Sequence, residues 1–478
     1  MTDDKQPAEK PKDPFVPDPA AHHHLGLSAD AVLRLGLMHL SAGTGGYRVI
    51  RAMKRSARAL GFDRLDAVIA VNSITVTSHK GEAFRTVVAQ QHQPGVNASR
   101  IEALEHLSHH LDSIHTHREL EDALDVIEES VTSRWSRLTL SLAAGIACAG
   151  FAFLNHYPLS EAAAVGVAAF FGQFVRVTVG RTRFNQLGTT AIAIVTACLV
   201  YLAATYLVSS IFGIDPTVFS AGYVAAALFV IPGFPLFSAL VDLARFDITA
   251  GITRLTYALS VIVTASVTVS MVSFISGLNP VVVDAGSPTT QWYFQAALAS
   301  FVGIGGFALL FNSSRRMAFI AATVGTAANV VRLLLVGFGI HPQFAALTAG
   351  VMVGLIAALV ATRARVPRIT VSVPASVIMI PGTAMYRAMY HLNTGEIDQA
   401  MANAVSAGLI VIYICAGLAI ARMLTDRDWA FGRLIDFSRK PAHLVVAEGG
   451  TGRRSDAAIP TAHGRRGRDR RDGRRLPS

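Results

Sequence analysis

Two Pro-Gly pairs stand inside otherwise apolar runs: Pro232-Gly233, continued by Phe234-Pro235, and Pro381-Gly382. Proline withdraws a helical N–H and its ring crowds the preceding turn, while glycine opens φ values that other residues avoid. A helix carrying both must break, which frees backbone amides and carbonyls. In hydrocarbon such groups persist only where protein or a wet cavity satisfies them. The N-terminus of a half-helix also attracts a carboxylate. The chemistry on offer is reversible binding of an anionic or zwitterionic small solute, and the alternative is a pair of structural kinks.

Charged residues accompany the breaks. Arg176 and Arg332 lie inside or at the edge of hydrophobic runs, where a guanidinium is costly unless paired. They could hold a substrate carboxylate or snorkel to the headgroups. Asp242, Asp247 and Glu396, with Asp398, follow the breaks; they could carry coupled protons, or cap the helices that come next, the reading their position favours. Glu161, Gln173 and Asn329 are further polar groups in apolar sequence. Paired carboxylates, an activated serine and a Cys/His arrangement are all missing from the polar N-terminal part, so neither an enzyme nor a cofactor site is expected. Gly43-Thr44-Gly45-Gly46 lacks the Lys-Ser/Thr of a phosphate loop and reads as a turn between two helices. His106, His109, His110, His115 and His117 lack a companion Cys or well-spaced carboxylate and read as surface histidines rather than a metal site.

The elements that must position these residues follow from composition. Of 478 residues, 52% are hydrophobic and 15% charged, well below the charge of a soluble domain. Charge nearly vanishes between Leu138 and Leu424, apart from short Arg-bearing joints. Ten apolar runs of span length lie there, at 138–154, 159–179, 187–211, 218–241, 252–278, 291–311, 317–338, 342–361, 371–390 and 399–424. Joints with arginine (134–137, 181–183, 245, 315–316, 363–368, 427) alternate with joints that hold neither Lys nor Arg (155–158, 213–217, 279–290, 339–341, 391–396). By the positive-inside bias both chain ends are cytoplasmic, in a cell membrane. No apolar signal segment opens the chain.

An internal repeat spans 149 residues: Ile231-Pro232-Gly233, Phe237, Ala239, Asp247 and Ile248 recur as Ile380-Pro381-Gly382, Tyr386, Ala388, Glu396 and Ile397. Each half holds five spans, an odd number, so the halves are inverted, as in many secondary transporters. The expected fold is thus a polytopic α-helical membrane protein of about ten spans. It divides into a disordered leader (1–27), a small α/β cytoplasmic domain (28–135), a first five-span repeat (136–278), an extracytoplasmic joint (279–290), a second repeat (291–424) and a basic disordered tail (425–478). Within the α/β domain, Ala67–Thr77 reads as a strand that Phe84–Ala89 can pair, and Asn97 caps a helix through His115. The tail supplies more than half of the net charge of +10 and is suited to anionic lipid rather than nucleic acid. Cys148, Cys198 and Cys415 fall in apolar runs and suggest no disulfide framework.

These features resemble the threonine/serine exporter family in its fused two-half form. The likeness rests on Ser41-Ala42-Gly43-Thr44, the helix from Arg51 to Leu60, Val96-Asn97, Ile231-Pro232-Gly233-Phe234-Pro235-Leu236 with Asp242-Leu243 and Asp247, and Ile380-Pro381-Gly382 with Met385-Tyr386-Arg387. It implies efflux of L-threonine and L-serine against protons. His391 stands where Asp242 would repeat, so the two halves are not expected to act symmetrically. A passive channel and a membrane-anchored sensor or scaffold are the competing classes.

Overall fold

The computed structural model describes residues 19–91, 94–111, 116–182, 184–213, 219, 222–277, 288–432, 435 and 437. The basic tail beyond 437, the leader up to 18, His115 and most of the joint at 279–290 lie outside them.

Two helices, α1 (Pro19–Ser41) and α2 (Gly46–Ala59), meet at the glycine-rich turn. There Gly43 adopts φ +90°, a region that side-chain-bearing residues resist. The run read as one strand at Ala67–Thr77 is instead a hairpin. β1 (Arg64–Ile69) and β2 (Ser73–Lys80) pair antiparallel around Val71-Asn72, closed by Ala70 N–H donating to Ser73 C=O (2.9 Å). Asn72 is a turn former, and alternation runs through it without a break, which is why the turn is hard to see in sequence. β3 (Ala83–Gln90) completes a three-stranded antiparallel sheet in the order β1-β2-β3, with Val76 opposite Val87. α3 (Ala98–His109) is capped by Asn97, which accepts the Arg100 N–H at 3.0 Å, and α4 (His117–Ser130) by Thr116. Leu35, Met53, Leu65, Ile74, Leu104 and Leu120 are completely buried between helices and sheet. His106 and His110 are exposed and stack on each other outside this core. Among the described residues no group of three His, Cys, Asp or Glu could hold a metal ion.

Eight of the following helices are long and apolar enough to cross a membrane. They are α5 (Arg137–Leu154), α6 (Leu159–Gly180), α7 (Gln186–Phe212), α10 (Ile248–Ser276), α11 (Thr290–Leu310), α12 (Arg315–Gly337), α13 (Pro342–Ala364) and α16 (Ile397–Thr425). Two bent pairs bring the number to as many as ten. α8 (Gly222–Ala226), with the 3-10 turn Leu228–Val230, meets α9 (Gly233–Leu243) at 64°, and α14 (Arg368–Val377) meets α15 (Gly382–Thr394) at 52°. A short α17 (Arg427–Ala430) follows. Large apolar side chains point outward, among them Tyr206, Phe274, Ile275, Phe294 and Phe319, whereas alanine, glycine and serine fill the helix contacts. That distribution suits lipid, where close packing of small residues replaces the hydrophobic effect between helices.

The packing order shows the inverted repeat. α5 lies on its own counterpart α11; α10 on α15 matches α16 on α9; α8 on α15 matches α14 on α9. The three cysteines are free and buried. The N-terminal domain is fastened to one end of the bundle. Ala98 N–H donates to Phe311 C=O (2.9 Å), Ser99 Oγ to Asn312 C=O (2.7 Å) and Trp135 Nε1 to Ser313 C=O (3.0 Å).

Candidate functional site

The two breaks are the same local structure made twice. Pro232 has φ −79° and ψ 57°, and Pro381 has φ −79° and ψ 62°. In each, the glycine N–H donates to the carbonyl two residues back, Gly233 to Ile231 and Gly382 to Ile380, both at 2.8 Å. This is an inverse γ-turn, a tight three-residue reversal that proline's fixed φ favours. The match continues past the half-helices. Asp247 N–H donates to Asp242 C=O at 3.1 Å, and Glu396 N–H to His391 C=O at 2.8 Å.

The breaks abut. A Cβ on Gly233 would stand 2.8 Å from Val377 Cγ2 and 3.2 Å from Ile380 Cδ1. A Cβ on Gly382 would stand 2.6 Å from Ile231 Cδ1 and 2.7 Å from Leu228 Cδ2. Leu228 and Val377 are repeat partners, as are Ile231 and Ile380, so the contact is self-complementary across the pseudo-two-fold axis. Only a missing side chain at both glycines permits it. Tyr386 Oη reaches across to Ala227 C=O at 3.5 Å. The contact is apolar and closed.

On the domain-facing side of this contact lies a cavity of about 70 Å³. α9 gives it Ser238 and Asp242, α14 gives Arg368 and Ser372, α16 gives Arg422, and the segment Gly45–Arg48 of the N-terminal domain closes it. Ser238 and Asp242, like Arg368 and Ser372, are four residues apart on their helices and therefore share a face. Asp242 is 4% exposed; its Oδ2 accepts the Gly46 N–H at 3.1 Å and pairs with Arg254 Nη1 at 3.5 Å. Arg254 Nη2 also donates to Thr44 C=O. The glycine turn is thereby tied to the bundle through a buried ion pair. Behind it, His39 lies between Thr44 Oγ1 (3.2 Å) and Ser108 Oγ (3.4 Å). Burial pushes its imidazole down to about 4, so it is neutral at physiological pH and serves as a hydrogen-bonding spacer.

The other sequence-derived residues divide. Arg176 reaches the first break, with Nη1 3.4 Å from Phe229 C=O. Arg332 does not reach a break: its Nε donates to Asn329 Oδ1 (2.9 Å), and Asn329 Nδ2 donates to Ser300 Oγ (2.9 Å). Neither arginine makes an ion pair among the described residues. Asp247 caps α10, accepting the Ala250 N–H at 3.4 Å. Glu396 is exposed and 2.9 Å from His391 Nδ1. Glu161 is 2% exposed near the opposite end of the bundle, and Tyr201 Oη stands 2.9 Å from its Oε1 and 2.8 Å from Phe219 C=O. A phenol has one hydrogen. When it goes to Phe219, the Glu161 contact is a hydrogen bond only if Glu161 carries a proton.

Sequence reasoning missed Arg254, Arg368 and Arg422. Arg254 was legible: it is an arginine two positions inside a run otherwise free of charge. Arg368 and Arg422 stand at span ends, where arginine is ordinary, and only tertiary packing turns them toward one cavity.

Comparison with known proteins agrees with this architecture. A family model described as "Putative threonine/serine exporter" matches residues 30–276, and a second, "Threonine/Serine exporter, ThrE", matches residues 296–424. Curated relatives include the "Probable succinate transporter subunit YjjP" of Escherichia coli K12, 26% identical over 256 residues, 52% of this chain and 94% of that protein. The protein of the same description from Klebsiella aerogenes is 25% identical over 223 residues, 46% of this chain and 83% of its own length. No solved structure matches. A multi-pass bundle with paired helix breaks, in a chain matched over more than half its length by the first model and over most of the second repeat by the other, is a membrane transporter, and the chain belongs to the threonine/serine exporter family.

Proposed function

We propose that the protein is a secondary exporter of small neutral amino acids, L-threonine and L-serine, driven by proton antiport. One observation carries this reading. Equivalent broken helices from two inverted halves close against each other, with a cavity on the domain-facing side whose largely apolar lining is interrupted by Asp242, Arg368 and Arg422. Breaks of this kind at a repeat interface are the usual place for a transported solute, and rocking of the halves exposes it to alternate sides. Pro232, Gly233, Pro381 and Gly382 form the barrier, and Arg176 adds positive charge beside the first break; Arg332 holds the second-half polar network. The family descriptions support the choice of cargo. The description of the two curated relatives makes succinate the second cargo to test, and the arginines at the cavity favour trying it.

Proton coupling needs an acid that can change charge in a dry setting. Asp242 and Glu161 are the buried candidates, at opposite ends of the path, whereas Asp247 is engaged as a cap and Glu396 faces solvent. The test is flux of labelled threonine in proteoliposomes with an imposed pH gradient. Glu161→Gln mimics the protonated side chain and is expected to keep threonine exchange but lose pH-driven accumulation. The double variant Asp247→Asn, Glu396→Gln is expected to keep both. Undiminished accumulation in Glu161→Gln would remove it from the coupling path.

Sidedness completes the reading. The arginine-bearing joints face the cytoplasm, in a plasma membrane, and put the N-terminal domain there. Ala285→Cys should react with an impermeant thiol reagent in intact cells and Arg365→Cys should not. The three native cysteines, being buried, give little background. The opposite labelling pattern would invert the topology.

A further inference from the structure

The cavity between the breaks and the N-terminal domain is chemically lopsided. Arg368 donates to Thr425 Oγ1 (2.8 Å) and to Thr425 C=O (3.3 Å), and among the described residues it has no carboxylate within ion-pair distance. Arg422 lies over the rings of Tyr47 and Trp429, 5.7 and 5.5 Å from their centroids, with Asp426 at 3.8 Å, and its Nε has no hydrogen-bond partner. Ser238, 3% exposed, has an Oγ with no partner. Arg422 Nε and Ser238 Oγ are buried donors left unsatisfied, which is costly, and with the half-buried Arg368 guanidinium beside them they describe a place for an acceptor that carries negative charge. Arg48, also on the wall, is already matched by Glu105 at 2.5 Å.

The opposite wall has the opposite character. Asp242 spends its Oδ2 on Gly46 and Arg254, while its Oδ1 faces Gly45, 3.2 Å from the position a Cβ would take there. The Asp242 carboxylate also lines the cavity. Positive groups at one side, an anionic oxygen at the other, and hydroxyls on Ser238 and Ser372 between them are the complement of a hydroxylated α-amino acid.

We propose that this cavity is a binding site for a zwitterionic α-amino acid. The carboxylate lies toward Arg368 and Arg422, the ammonium toward the Asp242 carboxylate, and the side-chain hydroxyl within reach of Ser238 or Ser372. The assignment rests on the transporter reading for its cargo class but makes its own choice between the two cargoes. A dicarboxylate of similar length would bring its second charge against Asp242, and like charges at close range repel. Arg368 and Asp242 are thus specificity-determining residues, and the Gly45–Arg48 segment is the lid over the occupant.

The test is calorimetric titration of the purified full-length protein with L-threonine, threonine amide, N-acetyl-threonine and succinate. Threonine amide lacks the carboxylate and N-acetyl-threonine lacks the ammonium. Each of the three analogues is expected to bind at least about tenfold more weakly than threonine, the loss typical of one charged hydrogen-bonding partner. Arg368→Gln is expected to weaken threonine by a similar factor and to leave threonine amide unchanged, a pattern that misfolding cannot mimic. Succinate binding as tightly as threonine, or threonine binding equally to wild type and Arg368→Gln, would overturn the assignment. Threonine binding that survives while proteoliposome flux is absent would instead overturn the transporter reading and leave the site standing.

Discussion

Gly233→Leu and Gly382→Leu are each expected to insert and accumulate in the membrane but to lose threonine flux by about tenfold or more. A single added Cβ would already stand 2.6–2.8 Å from side chains of the opposite half. Overpacking of this kind costs roughly 1–3 kcal/mol, and leucine adds three carbons beyond that. The strain falls on one contact. The flanking half-helices keep their own hydrogen bonds, and the neighbouring atoms are side-chain methyls rather than backbone, so the bundle should assemble. The closed arrangement of the breaks would be lost, and with it the barrier that must alternate. Gly233→Ala and Gly382→Ala should give intermediate rates. Proteoliposome flux, normalised to inserted protein, is the measurement. Wild-type flux in both leucine variants would reduce the breaks to kinks and move the substrate path elsewhere.

The breaks were readable because their signal is local and doubled. Pro-Gly in an apolar run has one backbone consequence, and its recurrence 149 residues later carried the inverted repeat with it. The spans were readable because lipid imposes a length and excludes charge; the runs at 218–241 and 371–390 correspond to the two bent pairs. What stayed hidden depends on distance in sequence. Asp242 was singled out for following a break, but its partners are Arg254 and Gly46, and no spacing rule links position 242 to position 46. Arg368 and Arg422 carry the same signature as any arginine that ends a span. The hairpin at Val71-Asn72 was missed for a smaller reason: alternation passes smoothly through a two-residue turn that has no glycine.

The buried pair Asp242–Arg254 supports the second large effect. Both side chains are 4–5% exposed, and the pair's only other described partners are Gly46 N–H and Thr44 C=O in the glycine turn. Removing one member of such a pair leaves an uncompensated buried charge and costs about 3–5 kcal/mol, whereas replacing both with neutral groups of similar size is often close to neutral. Arg254→Met should therefore be strongly destabilising, and Asp242→Asn with Arg254→Met much less so. The damage should be local, because the domain is also fastened away from the turn, at Asn97–Ser99 and Trp135, by Val71 N–H donating to Thr253 Oγ1 and by the Arg51–Asp428 ion pair. Hydrogen exchange at the amides of Gly45 and Gly46 should accelerate by about a hundredfold or more in Arg254→Met, as expected when local opening becomes 3 kcal/mol easier. Exchange in α3 should be little changed. Arg254→Met no worse than the double variant would mean that the carboxylate is satisfied without its arginine, and that the turn is held to the bundle by something other than charge.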